Sequence, residues 1–157
     1  SFRRAMTSIR ERKLDHILFD LVKDGKPILG ICLGMQILAS RGSEDGETLG
    51  LGLIPGDVDR FSFTSDISGL KIPHVGFNTV NAKSDCRLFD GLGLEVDFYF
   101  THSYRMICKS NDDVGATAFH GEEFVASLEH RAVAGVQFHP EKSQTSGLQL
   151  LKTYFTY

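Results

Sequence analysis

The stretch that most limits the fold runs from Pro27 to Gln36 and reads Pro-Ile-Leu-Gly-Ile-Cys-Leu-Gly-Met-Gln. An apolar run rises to Cys32 and passes without a polar linker into Met35, Gln36, Ile37, Leu38 and Ala39. A strand over Ile28 to Ile31 that is apolar on both faces wants parallel neighbours on either side. Gly30 and Gly34 flank the cysteine at the spacing of a strand that bends sharply into a helix, with a nucleophile at the bend. Such a bend strains the backbone, and its flanking residues are small so that neighbouring chain can come close. The helix start is expected to favour thiolate and lower the Cys32 pKa. The backbone N–H of Leu33 is expected to point at an oxyanion on a bound carbonyl. Alone, the motif also fits a buried strand-to-helix turn in which cysteine is a small apolar filler.

The chain of 157 residues is read as a single domain, 1–157. Its net charge of −3 gives no general attraction to nucleic acid or anionic membrane. The longest apolar run, Ile28 to Ala39, is too short to span a bilayer, and no secretory signal opens the chain. Cys32, Cys86 and Cys108 are an odd set with no Cys-x-x-Cys, which fits a reducing cytoplasm and offers no zinc pattern. No metal and no cofactor is expected.

Phe2 to Lys23 reads as helix with a break in phase near Lys13, stopped by Gly25 and Pro27. Ser40 to Gly56 reads as loop. Strands are expected around Val58 to Phe63, Ile72 to Val80, Val96 to Phe100, Tyr104 to Cys108, Val114 to Phe119, Glu123 to Leu128 and Val133 to His139. A short turn is expected at Leu88 and Phe89, and a closing helix, capped by Ser143 or Ser146, should bury Leu148, Leu151 and Phe155. The sum is an α/β fold with a mixed sheet and an antiparallel excursion. Too few later strands remain to flank Ile28 to Ile31, so partners are expected ahead of Ser1, in a longer chain of which this is an N-terminally truncated part.

A thiol nucleophile needs a base, and the base needs an orienting partner. Of six histidines, His16, His120 and His130 read as surface or turn residues, and His74 suits packing or an interface as well as chemistry. His139 is the better base. It closes an apolar strand, and Glu141 stands two positions on, where extended backbone would turn both side chains the same way.

Gly-Ile-Cys-Leu-Gly-Met-Gln and Gln-Phe-His-Pro-Glu-Lys-Ser together resemble the class I glutamine amidotransferases. Gly50 to Gly56, Ile72 to Asn78 and Tyr99 to Tyr104 are similar to segments of the glutaminase subunit of imidazole glycerol phosphate synthase, and the likeness covers nearly the whole chain. The resemblance implies the flavodoxin-like three-layer fold of that family. It implies a triad of Cys32, His139 and Glu141 that splits L-glutamine through a thioester. It places Leu33, Gln36, Glu44, His102, Ser103 and Tyr104 at the glutamine, and Pro73, His74, Phe77 and Asn78 at a TIM-barrel cyclase that receives the ammonia.

Phe77 stands where that family usually carries Trp, and Arg105 where an aromatic or apolar residue is more usual. A related amidotransferase serving sugar amination in surface-polysaccharide synthesis is therefore an alternative. So are a non-catalytic interaction subunit and a cysteine hydrolase of other substrates. The family's glycine-rich oxyanion loop is expected ahead of Ser1, and this segment alone should be at least about 10²-fold slower without it.

Overall fold

The computed structural model describes residues 1–63 and 69–156. Helices α1 (Phe2–Glu11) and α2 (Leu14–Lys23) meet at Lys13, which adopts a left-handed conformation, so the break in apolar phase is a true joint. Helix α1 buries Phe2 and Met6, whereas α2 buries no residue fully.

Among the described residues ten strands follow: β1 (Ile28–Ile31), β2 (Arg41–Gly42), β3 (Thr48–Leu49), β4 (Gly56–Arg60), β5 (His74–Ala82), β6 (Glu95–His102), β7 (Tyr104–Cys108), β8 (Val114–His120), β9 (Glu122–His130) and β10 (Val133–Val136). Six form one sheet in the order β1-β10-β9-β8-β5-β6, in which only β1 and β10 run parallel. The other four form a small sheet, β3-β2-β4-β7. Two of these, β2 and β3, lie in the segment expected to be all loop. Each is only two residues long and is held by the small sheet rather than by its own pattern.

The last strand is shorter than expected. Regular pairing ends at Val136: Gln137 N–H still donates to Ala126 O on β9 at 2.9 Å, but His139 N–H changes partner and donates to Tyr99 O on β6 at 2.8 Å. The large sheet thus curls until its far strand, β6, returns beside the end of β10. Phe138 anchors the closure, fully buried and stacked on Phe98 of β6 with ring centroids 3.9 Å apart. Such a pair adds roughly 0.5–1.5 kcal/mol beyond area burial. Alternation then turns Gln137 and His139 to the side opposite Phe138.

The closing helix α4 (Gln144–Tyr154) corrects the expected face. It buries Gly147, Leu150 and Thr153, while Leu148 and Phe155 are exposed. The reason is Gly147, which lies so close against the Pro140 carbonyl that no Cβ would fit, and this contact sets the helix rotation. Ser143 sits at the cap position, but its hydroxyl does not cap the helix. Arg105, unexpected from the family pattern, forms a two-pronged pair with Glu122 at 3.1 and 2.9 Å and ties β7 to β9. That pair holds the Glu122 carboxyl below its usual range.

Candidate active site

Cys32 sits where β1 ends, with φ 51° and ψ −108°, a conformation that L side chains rarely adopt. Two contacts hold it there. Its N–H donates to Val136 O at 2.8 Å, extending the β1–β10 ladder by one residue. Gly30 lies so close to the backbone of Gly34 and Met35 that an added Cβ would stand 2.6 Å from it. The bend thus depends on Gly30. At Gly34 nothing lies within 4 Å of an added Cβ, so the expected close approach there is absent among the described residues.

The helix that follows, α3 (Leu33–Gln36), is a single turn, and it does not set the thiol's acidity as expected. Burial dominates and raises the Cys32 pKa; the Leu33 N–H and the Gln137 amide pull it down, and the Glu141 charge adds to the rise. In the free chain the sulfur is therefore a thiol that needs a base. Its S–H faces Thr101 O at 3.9 Å, and it accepts from Gln137 Nε2 at 3.6 Å.

The candidate base, His139, is oriented by its neighbours. His139 Nδ1–H donates to Glu141 Oε1 at 2.6 Å, which leaves Nε2 as the lone-pair nitrogen. Nε2 is shut off from solvent and has no hydrogen-bond partner among the described residues. Burial alone would raise the Glu141 pKa, but the bond from His139, the residue's own backbone N–H and the charges of His139 and Lys142 together outweigh it and hold the carboxyl below its usual range. Ser143 was missed by sequence reasoning as a site residue. Its hydroxyl donates to His139 O at 2.6 Å and accepts from Tyr99 N–H at 2.9 Å, pinning the histidine segment to β6. Strand β6 therefore touches both partners, through Tyr99 for His139 and Thr101 for Cys32.

Behind the cysteine lies a buried histidine cluster. His74 Nδ1 stands 3.1 Å from His102 Nε2, and its ring stacks on His120 with centroids 4.0 Å apart. His102 Nδ1–H donates to Tyr104 O at 2.8 Å, and His120 Nε2–H donates to Lys71 O at 2.8 Å. Burial pushes His74 down to about 3 and His102 down to about 4, with the neighbouring histidines adding to the depression. Among the described residues no group of three or more His, Cys, Asp or Glu could hold a metal ion. These rings bond to one another and to main-chain carbonyls.

A family model, glutamine amidotransferase class-I, matches residues 11–156. The chain belongs to the class I glutamine amidotransferases. The imidazole glycerol phosphate synthase subunit HisH of Desulfitobacterium hafniense is 42% identical over 154 residues, covering 98% of this chain and 71% of that protein. HisH of Sulfurimonas denitrificans is 41% identical over 157 residues, 100% of this chain and 75% of that one. PurLQS from Thermotoga maritima aligns with TM-score 0.69 at 20% identity, over 92% of this chain and 68% of its own. A glutamine amidotransferase from the same organism aligns with TM-score 0.65 at 16% identity, over 99% and 58%. These two likenesses show the fold.

In this amidotransferase the other expected site residues fall in several places. Gln36 is buried under Cys32, its amide N–H groups donating to Tyr104 O and Gln137 Oε1, each at 3.0 Å. Glu44 accepts the Phe2 N–H at 2.7 Å, at the start of α1. The His102 ring is buried in the histidine cluster rather than turned outward. Ser103 O accepts from Phe61 N–H, and the half-buried Tyr104 packs against the core beneath the small sheet. Of the expected interface residues, Pro73 and Phe77 are exposed. Asn78 is half-buried and donates to Phe119 O at 2.8 Å. His74 corrects the expectation: it is only 4% exposed, because β5 turns it inward against Phe100 and His120.

Proposed function

We propose that the chain is the glutaminase subunit of imidazole glycerol phosphate synthase, with Cys32, His139 and Glu141 as its triad. The observation that carries the chemistry is His139: one ring nitrogen is tied to a carboxylate, and the other is buried and bare beside the strand that touches Cys32. His139 Nε2 takes the proton from Cys32 Sγ. The sulfur attacks the side-chain carbonyl carbon of L-glutamine, and Leu33 N–H receives the oxyanion. The imidazolium returns its proton to the departing nitrogen, releasing ammonia and leaving a γ-glutamyl thioester. Water, deprotonated by the same Nε2, then frees glutamate. Gln36, Glu44, His102, Ser103 and Tyr104 are assigned to the glutamine pocket by position, the buried ones acting through its walls.

The assignment to histidine biosynthesis rests on relatives about 40% identical over nearly the whole chain. The ammonia passes to a TIM-barrel cyclase in a heterodimer. Phe77, 52% exposed, with Val75 and Phe119 close by on β5 and β8, supplies an apolar face for that partner, alongside Pro73 and Asn78. Among the described residues no helix is long and apolar enough to cross a membrane, and the three cysteines are free. Both fit a cytoplasmic enzyme.

The test uses the chain in complex with the cyclase and the cyclase's own substrate. Cys32→Ala is expected to cut glutamate release by at least about 10⁴-fold while the two chains still co-elute. Glutamate release that survives the substitution would remove the catalytic reading, and failure of the wild-type chain to bind the cyclase would remove the partner assignment.

A further inference from the structure

An unbroken line of hydrogen bonds runs from the partly exposed edge at Asn78 to the sulfur of Cys32. Asn78 Nδ2 lies 3.3 Å from His74 Nε2, His74 Nδ1 is 3.1 Å from His102 Nε2, and His102 Nδ1 is 2.8 Å from Tyr104 O. Gln36 Nε2 is 3.0 Å from both Tyr104 O and Gln137 Oε1, and Gln137 Nε2 is 3.6 Å from Cys32 Sγ. His74, His102, Gln36 and Gln137 are all nine-tenths buried or more, and Gln137 is wholly so.

Only one arrangement of protons satisfies this line. A main-chain carbonyl can only accept. Tyr104 O therefore requires N–H from both His102 Nδ1 and Gln36. The second Gln36 N–H goes to Gln137 Oε1, which forces the Gln137 NH₂ group onto the sulfur. In the other direction, His102 Nε2 is left as acceptor, so His74 Nδ1 carries a proton and His74 Nε2 accepts from Asn78. Asn78 spends its other N–H on Phe119 O, a second fixed acceptor. Both histidines are neutral in this scheme, because an extra proton on His102 would face the His74 N–H across 3.1 Å and one on His74 would face the Asn78 N–H across 3.3 Å. Their depressed pKa values agree.

We infer that Gln137 is a further catalytic residue, whose amide N–H holds the Cys32 thiolate, and that Gln36, His102 and His74 are positioning residues that fix the orientation of that amide. The inference rests on Cys32 being the nucleophile. When the S–H proton moves to His139 Nε2, the sulfur keeps the electron pair and gains negative charge. Gln137 and Leu33 are then the two N–H donors on it, and hydrogen bonds to a charged acceptor are the stronger ones. Because Gln137 cannot rotate without breaking its bond to Gln36, the donor is in place before the charge forms. The line also begins at Asn78, on the strand that carries Phe77, so a shift of that strand has a direct route to the sulfur.

The experiment measures the pH dependence of Cys32 alkylation by iodoacetamide in the complex, followed by peptide mass spectrometry. This reports thiolate whether or not the protein acts on glutamine. Gln137→Met, similar in volume but without the amide, is expected to raise the alkylation midpoint by about one pH unit. Glu141 and Lys142, the charged groups that bear on the sulfur, stay in place. An unchanged midpoint in a folded variant overturns the inference. The second measurement needs no substitution. Nitrogen-15 spectra of the wild-type complex at pH 7 should show His74 and His102 both neutral with the proton on Nδ1. A proton on Nε2 of either ring overturns the relay.

Discussion

His139→Ala is expected to lower kcat for glutamate release by about 10²–10⁴-fold, with KM changed far less. In the proposed mechanism the ring both removes the Cys32 proton and returns one to the leaving nitrogen, so each half of the reaction loses its proton carrier. Burial holds the thiol pKa up, and no other imidazole is prepared to take over: His102 and His74 are engaged with each other and with Tyr104 O. Glu141→Gln should cost less than His139→Ala. The glutamine carbonyl oxygen can still accept from Nδ1–H and keep the tautomer, while the charge that stabilises the imidazolium is gone. Steady-state assays of the three proteins in complex with the cyclase check the order. Equal losses would mean that Glu141 does more than orient the ring, and an unimpaired His139→Ala would exclude it as base.

The second large effect is on stability in acid. His74 and His102 titrate near 6.5 when the chain is unfolded and only near 3 and 4 when it is folded. Between those values the unfolded state binds more protons, so stability rises with pH. The stabilisation is complete above about 6.5 and is lost as pH falls toward 4, at about 1.4 kcal/mol per pH unit for each histidine. The cause is burial, reinforced by the positive charge that His120, stacked on His74, would share with them. Melting temperatures measured from pH 7 to 4.5 should fall steeply below pH 6. His74→Gln should roughly halve the slope even if it lowers the starting value. A flat profile in the wild-type protein would show that the cluster is not held neutral.

The strained bend at Cys32 and the His139–Glu141 hydrogen bond were legible because each depends on local chemistry. Gly30 before Cys32 is demanded by backbone contact within a few residues, and Glu141 reaches His139 through neighbouring backbone. The joint at Lys13 was visible as a slip in apolar spacing. What the sequence hid depends on distant partners. Residues Arg41–Gly42 and Thr48–Leu49 are strands only because Asp57 and Val58 pair beside the first of them. The buried face of α4 is set by Gly147 against Pro140, not by the leucines that advertise a helix. Ser143 looked like a cap and instead bridges Tyr99 to His139, which no spacing rule could reveal. The family resemblance placed His74 at an interface with the rest of its segment, but strand alternation turns it in while Val75 and Phe77 face outward. Gln137 was passed over as part of a motif, since its role needs Gln36 and Cys32 brought to it from a hundred residues away.

Covalent labelling with a glutamine analogue carrying an electrophilic carbon tests the central claim most directly. Burial pushes Cys86 up to about 12 and Cys108 up to about 11, whereas Cys32 stands at the strained bend, against the strand that also holds His139. In the cyclase-bound protein, peptide mass spectrometry should find one adduct, on Cys32, which glutamine prevents and His139→Ala slows. An adduct on Cys86 or Cys108 instead, or none on the intact complex, would contradict the account.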